Sequence, residues 1–551
     1  MKRNILSIIT LLSMTAMISC SDMMDIENPR VAYEEDNRLD NANDSIYSSI
    51  GILAQLQDVA DRIVIAGELR GDLMTVNPEY ASTDLQQINS FEATADNKYA
   101  GRRDFYTIIN NCNYAIAHMD TSIIEGISKV MLPEYAQLKT LRAYTYWQMA
   151  LIFGRVNYIT QPLTSTDDLD FKAESMTLDQ LAATLISDLE PIADARPLDY
   201  GIVDGINTSS VFFPTKMMLG DLYLYTNQYE KAAQAYYDLI SSRWLQVSLS
   251  YSSYWAGMSP RASINAGHIK SYNNEVVTRT AFDSQLRSKH SQLSRLTYSE
   301  TPSLVPAEQF VNEMNTRPHF HIIDSYDKAT EIGQRFNGDT RGCAEYANGH
   351  VLPDAFGPVT MPSALKRTLI TKFHNNLSGS ENDDDEQRPL TSLRLISPTT
   401  VYLRYAEAIN RIGFHTVAYA VLKYGLTHEV LSDTLKVDSN EVKNLPPYIN
   451  FNNFSQNIGT AARGLGLGVR FDKTQYVIPA NADTLDYVER AILQEMSAET
   501  CFEGQRFFDL LRISHHRDAH PLFMASAVAR KYPNHEVMLQ KLKDINAWFF
   551  K

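Results

Sequence analysis

Cysteine is scarce in this chain, with four among 551 residues. None stands in a CxxC pair or another metal-ligand spacing, so no zinc site is signalled. Cys112 and Cys501 fall in helical patterns and read as core thiols. One disulfide with a leftover thiol is the other arrangement that Cys112, Cys343 and Cys501 allow. Basic runs are missing too. Fifty Lys and Arg face 65 Asp and Glu, for a formal net charge of −15, and phosphate recognition needs clustered cations. Nucleic acid is therefore excluded as a partner. No Pro/Gly/Ser-rich linker divides the interior, which favours one large domain.

Catalytic signatures are equally absent. The chain has no GxSxG, no HExxH and no reactive Cys/His pattern. Acids are plentiful, yet no pattern singles out the paired carboxylates of a glycosidase. Gly464, Gly466 and Gly468 (RGLGLG) match neither GxGxxG nor a P-loop and read as a turn or bulge. His319 and His321 would share one face of a strand near Asp324, and His515, His516 and His520 lie close together. Neither group has a zinc spacing, and both read as surface histidines. The run Glu381–Glu386 (ENDDDE) offers clustered oxygens to calcium but lacks the EF-hand pattern and reads as a solvated acidic loop. No catalytic residue, metal or cofactor is expected, calcium at that run being the weak exception.

Export is signalled at the N-terminus. Lys2 and Arg3 precede an apolar run, Ile5–Ile18, that ends at Ser19–Cys20. The run is too short to span a bilayer, and no other segment is long and apolar enough. Residues 1–19 read as a signal peptide and Cys20 as a lipidation site. Several acyl chains on one cysteine would anchor stably. Residues 20–40, acidic and polar, read as a flexible tether, and residues 41–551 as the folded body.

The expected architecture is mainly α. Residues 41–242 and 391–426 carry helical periodicity. Pro133 suits a helix first turn, and the segment from Leu132 to Val156 is apolar nearly all round, as a helix buried among helices would be. Within Phe213–Ser242, Leu219, Gly220, Tyr223, Ala232 and Tyr236 have the spacing of a tetratricopeptide repeat. Small residues there let two helices cross, and the tyrosines fill the gap. Tyr405, Ala418 and Leu422 repeat the spacing. Residues 243–390 and 427–480 are rich in polar residues and weakly periodic, which suggests functional loops carried on a repeat scaffold.

The segment Asp486–Arg512 is the most specific in the chain. Val488, Ile492 and Met496 form a helical stripe that Glu499 and Phe502 continue, so a carboxylate lies on an apolar face and must be paired. Arg506 is spaced to reach Glu499 or Glu503, Asp509 and Arg512 form an i,i+3 pair, and Gly504 admits a neighbouring backbone. Glu495, Glu499, Glu503, Gly504, Arg506, Asp509, Leu510 and Arg512 resemble the C-terminal signature of the SusD/RagB family of nutrient-binding outer-membrane lipoproteins. Met496 stands where that family has Arg, and Thr500 where it has Leu or Phe. LRAYTYWQMALIFG (141–154) and RYAEAINR (404–411) resemble two further family helices.

That resemblance implies a SusD-like fold, with residues 481–551 as its signature helices. It also implies a lipid-anchored protein on the cell surface of the outer membrane, with no catalytic role. The implied partner is a TonB-dependent, SusC-like transporter. The implied ligand is a glycan, or a peptide as in the RagB branch; a surface glycoside hydrolase is the remaining competitor. Family ligand residues lie on variable loops, so the candidates come from aromatic content, because sugar C–H faces stack on rings. They are Tyr80, Tyr251, Tyr254, Trp255, Tyr272 and Tyr298.

Overall fold

The computed structural model describes residues 49–126, 128–164, 172–203, 206–247, 276–281, 291–297, 299, 301–323, 332–337, 339, 341, 343–345, 351–353, 356–360, 366–370, 372–373, 392–464, 469–471, 477–517 and 520–551. Helices dominate, as the sequence implies. They are α1 (Gln57–Leu69), α2 (Thr83–Asn89), α3 (Arg103–Ala117), α4 (Leu132–Phe153), α5 (Leu178–Leu189), α6 (Thr215–Tyr225), α7 (Tyr229–Arg243), α8 (Glu308–Thr316), α9 (Pro398–Arg411), α10 (His415–Lys423), α11 (Thr484–Glu499), α12 (Arg506–His515), α13 (His520–Ala529) and α14 (His535–Leu542), with a few shorter turns.

Local chemistry sets their ends. Pro133 sits in the first turn of α4, where its missing N–H costs nothing. Thr177 with Gln180 and Ser397 with Thr400 form reciprocal caps that start α5 and α9. Gly154 closes α4 at φ +74°, and a Cβ there would lie 2.7 Å from the Phe549 ring. Helix α4 is buried on every side, which matches its unbroken apolar sequence.

The repeat spacing becomes helix hairpins. Helices α6 and α7 pack together, α9 lies against α7, and α10 returns along α9. A side chain at Gly220 would meet the Tyr236 ring at 2.6 Å, so the glycine is what lets that ring in. The Tyr236 hydroxyl donates to Asp221 Oδ1 at 2.6 Å, which satisfies the only polar atom of a fully buried ring. Helix α11 then packs on α9 and α10, and α12 on α1.

The C-terminus is sewn into the same core. The Phe550 N–H donates to the Ile152 carbonyl and the Lys551 N–H to that of Ala93, both at 3.1 Å. Arg70, fully buried, donates to the carbonyls of Ala66, Leu151, Ile152 and Trp548 and lies 4.0 Å over the Phe507 ring. Carbonyl ends of α1 and α4, with that of Trp548, thus solvate its charge, and among the described residues no carboxylate pairs with it.

Part of what composition reads as irregular is antiparallel ribbon. Met74–Val76 pairs with Leu304–Pro306, Pro318–Ile323 with both Ile332–Asn337 and Val469–Phe471, Phe356–Thr360 with Lys366–Ile370, and Thr278–Ala281 with Ser392–Ile396. These strands are short, and several pair with partners more than 100 residues away. A window of neighbouring sequence holds too few alternations to reveal them.

Candidate functional site: a tyrosine cleft and the charge network beneath it

Three distant segments meet at a cleft of ≈ 490 Å³, within the range of about 300–1,000 Å³ typical of small-molecule sites. Asn77, Glu79 and Tyr80 form one wall. Pro302, Val305, Pro306, Glu308 and Val311 form the second, and Thr368 with Leu369 the third. The Tyr80 segment is fixed by its own turn. Asn77 Oδ1 accepts the Glu79 N–H at 3.1 Å, and the Asn77 carbonyl accepts those of Tyr80 and Ala81 at 3.2 and 2.9 Å. It is also tied across the cleft. The Asn77 N–H donates to the Ser303 carbonyl at 2.9 Å, and the Ser303 hydroxyl to the Tyr80 carbonyl at 3.0 Å. An aromatic ring beside proline and valine gives an apolar platform, while Asn77, the carboxylates and the tyrosine hydroxyl supply hydrogen bonds.

The signature residues build a buried charge network whose partners neighbour the cleft walls in sequence. The Glu495 carboxylate pairs with Arg317 and, at 3.0 Å, with Arg341. Glu499 accepts from Arg341 at 2.8 Å and Arg463 at 3.1 Å. Glu503 pairs with Lys372 at 2.7 Å and with Arg394. Asp339 completes the cluster against Arg317 and Arg341 at 3.0 and 2.5 Å. All of these side chains are buried. Burial alone would raise the carboxyls of Glu499 and Glu503. The cations outweigh it, Arg463 and Arg341 for the first and Arg394 and Lys372 for the second, and hold both below the usual carboxylate range.

Arg506 takes neither of the partners its spacing allows. It forms a two-pronged bond with Asp72, at 2.6 and 2.9 Å, and donates to the Leu493 carbonyl at 2.9 Å. The reason is the turn at 500–505. Phe502 adopts φ +67° and Gly504 φ +83°, so α12 starts in a new direction and carries Arg506 away from Glu499 and Glu503. A Cβ on Gly67 would lie 2.0 Å from the Gly504 carbonyl oxygen, and one on Gly504 2.8 Å from Val64 Cα. The close backbone approach expected at Gly504 therefore exists, against α1. In the same place Glu68 accepts the N–H groups of Gly504, Gln505 and Arg506 at 2.8, 3.1 and 3.4 Å and so caps α12 from outside its own sequence.

The remaining signature pairs hold. Arg512 binds Asp509 at 2.7 Å, as its spacing implies, and grips Glu407 of α9 at 3.0 and 2.7 Å. Leu510 is buried. Met496, where the family has Arg, leaves its sulfur 3.9 Å from Arg512. Thr500 turns its hydroxyl back to the Met496 carbonyl at 2.8 Å.

These bonds connect the motif to the cleft. Asp72 precedes the Asn77–Tyr80 wall, Arg317 follows the Pro302–Val311 wall, and Lys372 follows Thr368 and Leu369. Each wall is thus anchored within a few residues of an ion pair to α11, α12 or the turn between them.

Of the aromatic candidates, Tyr80 lines the cleft, whereas Tyr251, Tyr254, Trp255, Tyr272 and Tyr298 lie outside the described residues, as do Cys20, Gly466, Gly468, Asp324 and the 381–386 run. His319 and His321 do lie on one strand, Pro318–Ile323. Gly464 ends a short 3₁₀ turn, and a Cβ there would meet the Asp339 carboxylate at 2.5 Å, so it makes room for the charge cluster. His516 is not a surface residue. Its side chain is fully covered, Nδ1 lies 2.6 Å from Asn227 Oδ1, and burial followed by Arg411 and Arg512 pushes its pKa down to about 2. Cys112 and Cys501 are both buried, and burial pushes the Cys112 thiol up to about 12. Sequence reasoning missed Asp72, Glu68 and Lys372. Their partners lie from 127 to more than 400 residues away, and nothing local marks them.

Among the described residues no helix is long and apolar enough to cross a membrane, and no group of three metal-ligating side chains occurs. No family model matches the chain. A SusD-like protein, P38, from Formosa agariphila is 23% identical over 525 residues, covering 92% of this chain and 90% of that protein. A SusD superfamily protein from Bacteroides thetaiotaomicron superposes with a TM-score of 0.58 at 15% identity over 93% of this chain and 95% of its own. Surface glycan-binding protein A from Bacteroides uniformis does so at 0.56 and 16% identity over 91% and 95%. With helix hairpins carrying ribbons and loops, and with matches that run nearly end to end, the chain has the SusD-like fold.

Proposed function

We propose that this is a cell-surface glycan-binding lipoprotein. It captures nutrient oligosaccharide or polysaccharide without chemistry and delivers it to a TonB-dependent outer-membrane transporter. The observation that carries the reading is the Tyr80 cleft, with an aromatic ring on a rigid turn beside hydrogen-bonding side chains. Rings of this kind stack on the apolar faces of sugars. The fold supports it, since one protein of the same fold is described as a surface glycan-binding protein. Lipidation of Cys20 would hold the body at the membrane, and two partners on one surface meet at high effective concentration.

Calorimetry of the purified chain against a panel of oligosaccharides and a peptide mixture tests the ligand. Tyr80→Ala should weaken glycan binding by at least about tenfold while leaving the melting temperature unchanged. Heat from peptides alone would replace glycan with peptide, and sustained release of new reducing ends would make the protein a hydrolase. Mild detergent extraction should bring down a membrane barrel with the wild type. A Cys20→Ser chain found still acyl-anchored would remove the proposed tether.

A further inference from the structure

The charged side chains that line the Tyr80 cleft carry one sign. Glu79 stands in the Asn77 turn and Glu308 opens α8, facing the cleft from opposite walls; no Lys or Arg lines it among the described residues. Both carboxylates are solvent-exposed, so neither is consumed by the buried ion pairs below. Glu308 lies in the first turn of α8, where a negative charge complements the positive end of the helix. A carboxylate accepts hydrogen bonds and donates none. Hydroxyl and ammonium groups therefore satisfy it, whereas a second carboxylate or a sulfate brings repulsion with no bond in return. The whole chain, at −15, adds a field of the same sign that slows the approach of polyanions.

We infer that Glu79 and Glu308 make the cleft selective for ligand charge: it takes neutral or amine-bearing sugars and turns away uronate- and sulfate-bearing ones. The inference rests on the glycan-binding reading above and narrows it to a chemical class. In the complex each carboxylate accepts bonds from ligand hydroxyls while Tyr80 supplies the stacking face. The discrimination should be on the order of tenfold in affinity at low salt and shrink as salt screens it.

The test is a glycan array printed with neutral, amino, uronate-bearing and sulfated oligosaccharides. It is probed at low and high salt with the wild type, Tyr80→Ala, and Glu79→Gln combined with Glu308→Gln. Wild type should retain neutral and amino sugars, and Tyr80→Ala should lose them. The double variant should narrow the neutral-over-acidic preference by roughly tenfold at low salt, with little effect at high salt. A sulfated or uronate-bearing glycan held by the wild type as firmly as its neutral counterpart, and lost in Tyr80→Ala, would overturn the charge filter while leaving glycan binding intact. An unchanged preference in the double variant would overturn the role of the two glutamates. No glycan retained by the wild type at all would overturn the functional reading, and the inference with it.

Discussion

Replacing Glu503 with Gln isolates the charge network at the point where it meets the cleft. The substitution keeps the shape and removes one negative charge from between two cations, Lys372 at 2.7 Å and Arg394. Glu503 and Lys372 are each 3% exposed and Arg394 8%, so water cannot replace the lost partner. Removing one member of a buried pair typically costs about 3–5 kcal/mol. The unfolding entropy is about 2.1 cal/mol/K per residue, or about 1 kcal/mol/K for a body of about 500 residues, so the melting temperature should fall by about 3–5 °C. Lys372 would keep its bonds to the Cys501 and Glu499 carbonyls at 2.8 and 3.4 Å, which places the expected shift toward the lower end.

Acid provides a second axis. The folded-state carboxyl of Glu503 lies below the usual range, so its contribution is fully present above the unfolded value of about 4.3 and is lost as pH falls through the folded value. The gap between wild type and Glu503→Gln should therefore be full at neutral pH and start to narrow only as pH falls below the unfolded value of about 4.3. Scanning calorimetry at neutral pH and below that value gives the answer. A control replaces all three side chains with apolar ones, Glu503→Leu with Lys372→Met and Arg394→Met. It should recover most of the loss, because buried ion pairs are worth little over a packed apolar core. A Gln variant that melts within 1 °C of wild type at neutral pH, or a gap that widens in acid, would refute the account.

Two backbone and side-chain tests follow from the same region. Gly67→Ala should cost about 3 kcal/mol or more, since its Cβ would lie 2.0 Å from a backbone oxygen; Gly51→Ala, with nothing within 4 Å on an exposed helix turn, should stabilise by about 0.5–1 kcal/mol. Equal melting temperatures for the two variants would show that the α1–turn contact is looser than described. His516 is held neutral down to about pH 2 when folded and titrates near 6.5 when unfolded, so its contribution is complete above 6.5 and lost as pH falls. Urea unfolding at pH 7.5 and 5.0 should show wild type losing about 2 kcal/mol more than His516→Gln; parallel losses would place the imidazole in contact with water.

The scaffold was legible because its information is local. Gly220 and Tyr236 are one hairpin apart, Pro133 marks the start of its own helix, and Asp509 finds Arg512 within one turn. The presence of a buried charge at Glu499 was legible for a related reason, since periodicity placed a carboxylate on an apolar face. Its partner was not, because periodicity locates a residue on its own helix and says nothing of what packs against it. Arg341 and Arg463 lie in weakly periodic stretches 158 and 36 residues away. Arg506 shows how a local rule fails. Its spacing to Glu503 holds only while the helix continues, and departures into positive φ on either side of Glu503, at Phe502 and Gly504, break it.

The same contrast explains why a motif that lines no part of the Tyr80 cleft is the most recognisable part of the chain. Glu495, Glu503 and Arg506 each hold the base of a different cleft wall, through Arg317, Lys372 and Asp72. A binding surface assembled from three distant loops needs fixed ends more than fixed tips. Residues at the tips, such as Tyr80, Glu79 and Glu308, can change with the ligand without disturbing a buried pair. Residues at the base cannot, because each is desolvated and matched to a partner of opposite charge. Substitution at the tips should therefore alter binding and leave melting unchanged, and substitution at the base should lower both together. A Glu503→Gln chain that melts lower yet binds with unchanged affinity would separate the network from the cleft and leave it a role in stability alone.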